Sequence, residues 1–199
     1  MRIFLVLFAA VALAAQTPEP SIRWLPITSS ELEVNGLPWF AQNQGELYRL
    51  PLSLREVVRP PVWNLAQSPS GARLRFRTDA TSLAIRVEYP SAPNMANMHA
   101  FGQTGVDLYV DGVYLTTVVA DKDAAPGKLY ERTLYNFAGR QRTEREITLY
   151  LSLYKPVKVL GVGFDKGATI ARAKPFAQSK PVVFYGSRSP KGAVPVAPV

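Results

Sequence analysis

The stretch Gly105-Val106-Asp107-Leu108-Tyr109-Val110-Asp111-Gly112-Val113-Tyr114-Leu115-Thr116-Thr117-Val118-Val119 decides the fold. Val106, Leu108 and Val110 alternate with Asp107 and Tyr109, the period-two pattern of a strand with one face on a core. Val113–Val119 is a second run of β-branched and aromatic residues. Asp111-Gly112 between them is the favoured centre of a type I′ turn, because both positions require positive φ and these two residues tolerate it. A hairpin is expected, with Asp107 and Tyr109 turned away from the main core.

The same alternation recurs on both sides of the hairpin. Leu83, Ile85, Val87 and Tyr89 alternate with Ala84, Arg86 and Glu88, and Ile147, Leu149, Leu151 and Leu153 alternate with Thr148, Tyr150, Ser152 and Tyr154. Arg73, Arg75 and Arg77 alternate with Leu74 and Phe76, as the wet face of a half-buried strand would. Further strands are expected at Glu46–Leu50, Val62–Leu65, Leu129–Tyr135, Val157–Phe164 and Thr169–Ala173. No stretch carries a convincing amphipathic helix of a dozen residues. The expected fold class is all-β: a β-sandwich of jelly-roll type with about nine to eleven strands and a short irregular C-terminal tail.

Composition narrows the chemistry. The chain has 199 residues, 47% hydrophobic and 19% charged, which is a globular balance. It has no cysteine and one histidine, His99. A disulfide framework, a thiol nucleophile and cysteine- or multi-histidine-ligated metal sites are thereby excluded. Any Ser-His-Asp triad would have to be built around that single imidazole. No metal and no cofactor are expected. The formal charge of +8 suggests nucleic acid, but the arginines alternate with apolar residues or are interleaved with Glu144 and Glu146. With no basic helix and no RNA-binding aromatic signature, no nucleic-acid partner is expected. Asp121-Lys122-Asp123 reads as a solvated turn, since a lysine between two carboxylates makes a poor calcium site.

The two ends read differently. Arg2 followed by the apolar run Ile3–Leu13 and the small-x-small pattern Ala12-Leu13-Ala14 resembles a secretory signal. Residues 1–14 are expected to be a signal peptide and residues 15–20 a spacer. The location is then secreted or periplasmic, with no transmembrane segment after cleavage. Residues 21–179 form the expected domain. Lys180–Gly186 reads as a strand entering a loop, yet it leads into Ala193-Val194-Pro195-Val196-Ala197-Pro198-Val199, whose alternating prolines suit neither a central strand nor a helix.

Gly105-Val106-Asp107-Leu108-Tyr109 resembles the Gly-x-Asp-Leu-Tyr motif of the N-terminal domain of SGNH (GDSL-like) hydrolases. Arg59-Pro60-Pro61-Val62-Trp63-Asn64-Leu65, Arg75-Phe76-Arg77-Thr78-Asp79 and Met95-x-x-Met98-x-x-x-Gly102-x-x-Gly105 are similar to that family's segments in the same order. Lys180–Gly186 resembles the strand that opens its catalytic domain. The resemblance implies a β-sandwich followed by an α/β SGNH domain that cleaves or transfers acyl esters, often of carbohydrate-type substrates. Aligning Tyr185-Gly186-Ser187 on the family's segment puts Arg188 where the nucleophilic serine belongs. No catalytic residue is therefore expected in this chain, and the expected partner is an SGNH catalytic domain, normally in the same chain. Synonymous codons exist for which a shifted frame from Ser187 onward reads Ser-Ile-Thr-Gln-Gly, the family's nucleophile segment. Residues 180–199 are accordingly expected to be the first strand of that domain plus a frameshifted tail.

Gly105, Asp107, Leu108 and Tyr109 carry the motif. Trp63, Met95, Met98, Phe101, Asp107 and Tyr109 are the candidate contacts to the catalytic domain or substrate. Asp107 could equally satisfy a local hydrogen bond, and the Met95–Phe101 loop could simply pack over the end of the sandwich. Tyr109 could belong to an aromatic platform for a sugar, so a carbohydrate ligand is a second expected partner. Two other readings stand beside the accessory domain. One is a free-standing carbohydrate-binding module of the periplasm or envelope, and the other is a small esterase built on Ser189 and His99.

Overall fold

The computed structural model describes residues 22–178. The expected signal peptide, the spacer and the reading of residues 180–199, Arg188 included, lie outside the described residues. Ten strands form two antiparallel sheets: β1 (Ile22–Leu25), β2 (Glu33–Asn35), β3 (Arg73–Thr78), β4 (Ser82–Glu88), β5 (Val106–Val110), β6 (Val113–Val118), β7 (Leu129–Asn136), β8 (Arg145–Tyr150), β9 (Lys158–Asp165) and β10 (Ile170–Arg172). The four-stranded sheet has the order β1-β9-β4-β7. The six-stranded sheet has the order β10-β3-β8-β5-β6, with β2 also on β3. Pairing is nested: β1 with β9, β3 with β8, β4 with β7, β5 with β6.

The inner faces close a sandwich-like core. Leu74, Phe76, Leu108, Ile147 and Leu149 of one sheet meet Leu83, Ile85, Val87, Val162 and Phe164 of the other, all essentially inaccessible. Phe76 and Phe164 bridge the sheets edge to face at 5.5 Å between ring centres, the geometry that ring quadrupoles favour. The hairpin forms as its sequence requires. Asp111 and Gly112 both have positive φ, at 51° and 81°, and Val110 pairs with Val113. The Asp111 carboxylate also accepts the Glu146 amide at 2.8 Å, tying the turn to β8.

Four expectations need correction. Val62–Leu65 is not a strand; it lies in helix α1 (Pro60–Ala66). Pro60 and Pro61 occupy the first turn, where a missing N–H costs nothing and a fixed φ favours helix, and the buried Trp63 and Ala66 hold the helix to the body. Glu46–Leu50 is not a strand either. Asn43 takes over its backbone partners, donating to the carbonyls of Tyr48 and Leu50 while accepting the Leu52 amide. Such side-chain capture replaces a ladder. β8 ends at Tyr150, short of Tyr154; the Leu151 amide makes one last ladder bond to the Ala72 carbonyl at 3.0 Å, and the Ser152 hydroxyl then donates to the Lys155 carbonyl at 2.6 Å where the chain bends. Conversely, the short strands β1 and β2 carried no usable alternation in the sequence.

The fourth correction concerns the arginines of β3. Arg75 is not solvated: it is only 6% exposed. The segment after β10 folds back over the outer face of the six-stranded sheet, and Arg75 donates to the Lys174 carbonyl at 2.9 Å and pairs with Glu146 at 2.5 Å. Phe176 lies 3.9 Å from the Arg75 guanidinium and 4.6 Å from that of Arg73. Arg77 holds the Arg172 carbonyl at 2.9 Å. Three alternating arginines thus clamp the outgoing chain to the sheet.

Candidate functional site

The motif residues divide into two kinds. Leu108 is fully buried in the core. Gly105 caps helix α2 (Ala100–Thr104), and its amide donates to the Phe101 carbonyl at 3.0 Å. A Cβ there would stand 2.3 Å from that oxygen and 3.0 Å from the Thr117 methyl. Its φ is −60°, so the glycine is required by close approach and not by backbone conformation.

Asp107 and Tyr109 lie on the outer face of the six-stranded sheet, as the alternation predicts. Asp107 accepts a hydrogen bond from the Thr117 hydroxyl at 2.6 Å, and that hydroxyl meets the Tyr114 hydroxyl at 2.8 Å. Register places Asp107 opposite Tyr150 on β8 and Thr117 on β6, and places Tyr109 opposite Thr148 and Tyr114. Tyr109 packs edge-on against Tyr114 at 5.7 Å and Tyr150 at 5.2 Å. Partial burial, then the neighbouring Asp107 carboxylate, raises the Tyr109 hydroxyl above the ordinary tyrosine pKa. Three tyrosines, a carboxylate and a hydroxyl therefore share one patch.

The other candidates surround this patch or stand away from it. Met95 and Met98 are half-buried in the loop before α2, while Phe101 is 54% exposed and stacks in parallel on His99 at 5.0 Å. Because α2 abuts Thr117 through Gly105, the loop borders the motif face. Trp63 is apart and buried, edge-on to Tyr48 at 5.5 Å. Sequence reasoning missed Gln103. Its buried side chain accepts the Met95 amide at 3.0 Å and donates to the carbonyls of Met95 and Met98. Its own carbonyl accepts the amides of Tyr154 and Lys155. It fixes the loop, and only its position two residues before Gly105 could have singled it out.

Among the described residues no group of three His, Cys, Asp or Glu side chains is arranged to hold a metal ion. Asp121 pairs with Arg132 at 2.7 Å and Asp123 with Lys128 at 2.5 Å. A concavity of about 210 Å³ between Pro26–Thr28 and Val157–Leu160 falls below the usual size of a small-molecule site. No helix among the described residues is long and apolar enough to cross a membrane. What the site offers is a surface.

The family model described as the N-terminus of esterases of SGNH-hydrolase type, with the motif GxDLY, matches residues 22–170. A GDSL-like lipase from Bacteroides ovatus aligns at 25% identity with a TM-score of 0.63, covering 77% of this chain and 44% of that one. The salicylyl-acyltransferase SsfX3 of a tetracycline biosynthetic pathway aligns at 21% identity with a TM-score of 0.61, covering 78% and 42%. The chain thus spans less than half the length of these two solved structures. No curated protein matches it.

Proposed function

The chain belongs to the family that forms the N-terminus of SGNH-hydrolase-type esterases, and from that premise we propose that it is the non-catalytic accessory domain of a secreted acyl-ester hydrolase. In this reading the domain packs on an SGNH catalytic domain and helps to shape its substrate site, with carbohydrate esters as the substrate class. The observation that supports it is the division of the motif. Gly105 and Leu108 are consumed by the fold, whereas Asp107 and Tyr109 face outward, with Asp107 bound to the Thr117 hydroxyl and Tyr109 packed between Tyr114 and Tyr150. Arg188 standing at the family's nucleophile position implies that the chain by itself hydrolyses no ester.

The test has two parts. The purified chain should leave p-nitrophenyl acetate unhydrolysed, and its coding DNA should continue, in a shifted frame near Gly186–Ser187, into an SGNH hydrolase. Esterase activity that disappears with Ser189→Ala, or the lack of any hydrolase frame, overturns the reading.

The tyrosine cluster beside Asp107 favours one second reading, a free-standing carbohydrate-binding module of the periplasm or envelope. It requires that the chain alone retain soluble oligosaccharides on an affinity gel. It also requires that Tyr114→Ala abolish the retention.

A further inference from the structure

Three observations converge on one surface. First, the outer face of the six-stranded sheet ends in β6, whose Val113, Tyr114 and Leu115 are exposed. This is an edge strand without the charges or prolines that normally keep an edge from pairing. A bulge at Leu115, where Leu108 faces Thr116 but Tyr109 faces Tyr114, turns that side chain out. The three consecutive exposed apolar residues adjoin the tyrosine patch of the same sheet. Second, the rings of Tyr109 and Tyr150 are half-buried and packed edge to face at 5.2 Å, and neither hydroxyl is among the buried polar atoms left without a partner. Phenols so placed suit an interface that is apolar at the ring and polar at the tip. Third, the chain leaves the sandwich across this same face. Phe176 rests on Arg73 and Arg75, Arg73 pairs in register with Tyr150, and Tyr150 with Asp107. Two strand spacings, about 10 Å, separate the outgoing chain from the motif carboxylate.

The opposite face is covered in part by its own side chains, with Ile22, Leu129 and Leu160 exposed beside them. Trp24 lies over Gly163, where a Cβ would come within 3.0 Å of the ring. Arg86 stacks on Trp24 at 4.2 Å and pairs with Glu131 at 2.6 Å.

We infer that the outer face of the six-stranded sheet, over Tyr109, Tyr114 and Tyr150 and along the β6 edge, is the docking surface for the SGNH hydrolase domain. The inference rests on the accessory-domain reading. It adds which surface is used and why: the arginine clamp holds Lys174 and Phe176 on the same sheet face as the tyrosines, beside the half-buried rings and the open edge of β6. The Met95–Phe101 loop then lies at the rim of the interface.

Hydroxyl-radical footprinting tests this, with the 199-residue chain compared against the two-domain chain in which the hydrolase frame is restored. Tyr114, Tyr109 and Tyr150 should become several-fold less reactive in the two-domain protein, while Trp24 and Leu160 on the other sheet keep their reactivity. Tyr114→Lys, at a position 52% exposed, should reverse the protection of Tyr150 while an unchanged circular dichroism spectrum of the 199-residue chain shows that the fold is kept. Protection confined to Trp24, Leu160 or Leu65, with Tyr114 as reactive as before, overturns the surface and leaves the accessory reading standing. Protection at none of these side chains overturns the accessory reading and the surface together.

Discussion

The Gly105 amide donates to the Phe101 carbonyl at 3.0 Å, and a side-chain carbon at position 105 would come within 2.3 Å of that oxygen. Helix α2 and strand β5 can therefore meet only across a residue without a side chain. The same contact seats the loop that carries Met98 and Phe101.

Gly105→Ala should cost about 3 kcal/mol by the usual penalty for overpacking a tight contact, read from urea denaturation. Gly112→Ala provides the contrast. Its φ is 81° but a Cβ there meets nothing within 4 Å, so only the left-handed backbone penalty of about 1 kcal/mol applies. Equal losses at the two sites would contradict the steric account of the motif glycine.

Tyr109 ionises above the ordinary tyrosine value because it is partly buried and faces Asp107. Asp107→Asn should lower that pKa in an ultraviolet titration without bringing it fully back, because burial is the larger cause and remains. A Tyr109 titration indifferent to the substitution would show that the carboxylate is too far off or too well solvated to act.

Asp165 is buried at the end of β9. Burial by itself would raise its pKa, but the Ser82 amide at 3.0 Å, the Arg142 guanidinium and the Thr81 amide at 2.7 Å outweigh it, and the carboxyl titrates below the usual aspartate value. A depressed folded-state pKa stabilises the protein above the unfolded value near 4 and loses that contribution as pH falls through the folded value. Thermal melts should show stability declining below about pH 4, and Asp165→Asn should flatten the decline. Asp165→Ala should cost about 2 kcal/mol at neutral pH by stranding two amides. An unchanged acid profile in the asparagine variant would remove Asp165 from the account.

Tyr135 works in the opposite direction. Its hydroxyl donates to the Ala80 carbonyl at 3.1 Å, and burial pushes its pKa up to about 12. A raised value stabilises the fold fully below the unfolded pKa near 10, and the contribution fades as pH rises toward 12. Tyr135→Phe should therefore soften alkaline unfolding, followed by circular dichroism between these limits.

Phe176→Ala removes the ring from Arg73 and Arg75, a loss of about 1 kcal/mol for a partly exposed cation–π contact. The sandwich should keep its melting temperature within a few degrees, while trypsin cuts after Arg172 several-fold faster. Unchanged cleavage would mean that the Arg77 and Arg75 bonds to the Arg172 and Lys174 carbonyls hold the strap unaided.

The hairpin was legible because its signals are local. Asp111-Gly112 selects a turn by φ, and Val106, Leu108 and Val110 select a face by period. The outward placement of Asp107 and Tyr109 followed from the same period, and the two-sheet all-β class from its repetition. Val62–Leu65 reads as a strand because β-branched and aromatic residues describe a half-buried surface of either kind, whereas Pro60-Pro61 starts a helix there. Glu46–Leu50 was misread because its backbone partners come from Asn43, a choice that depends on where the chain later folds.

The sequence by itself determined the elements whose cause lies within a few residues: the β5–β6 hairpin, the alternating core positions and the Gly-x-Asp-Leu-Tyr motif that names the family. Only the tertiary structure decided what those residues face. Arg75 looks like a solvated strand residue until the segment at Lys174–Phe176, about a hundred positions further on, returns to cover it. Gln103 looks like a loop polar group until its amide closes on Met95 and Met98. Burial is a property of the whole folded surface, so a side chain's solvent, its partners and its titration depend on contacts between segments that no local pattern encodes.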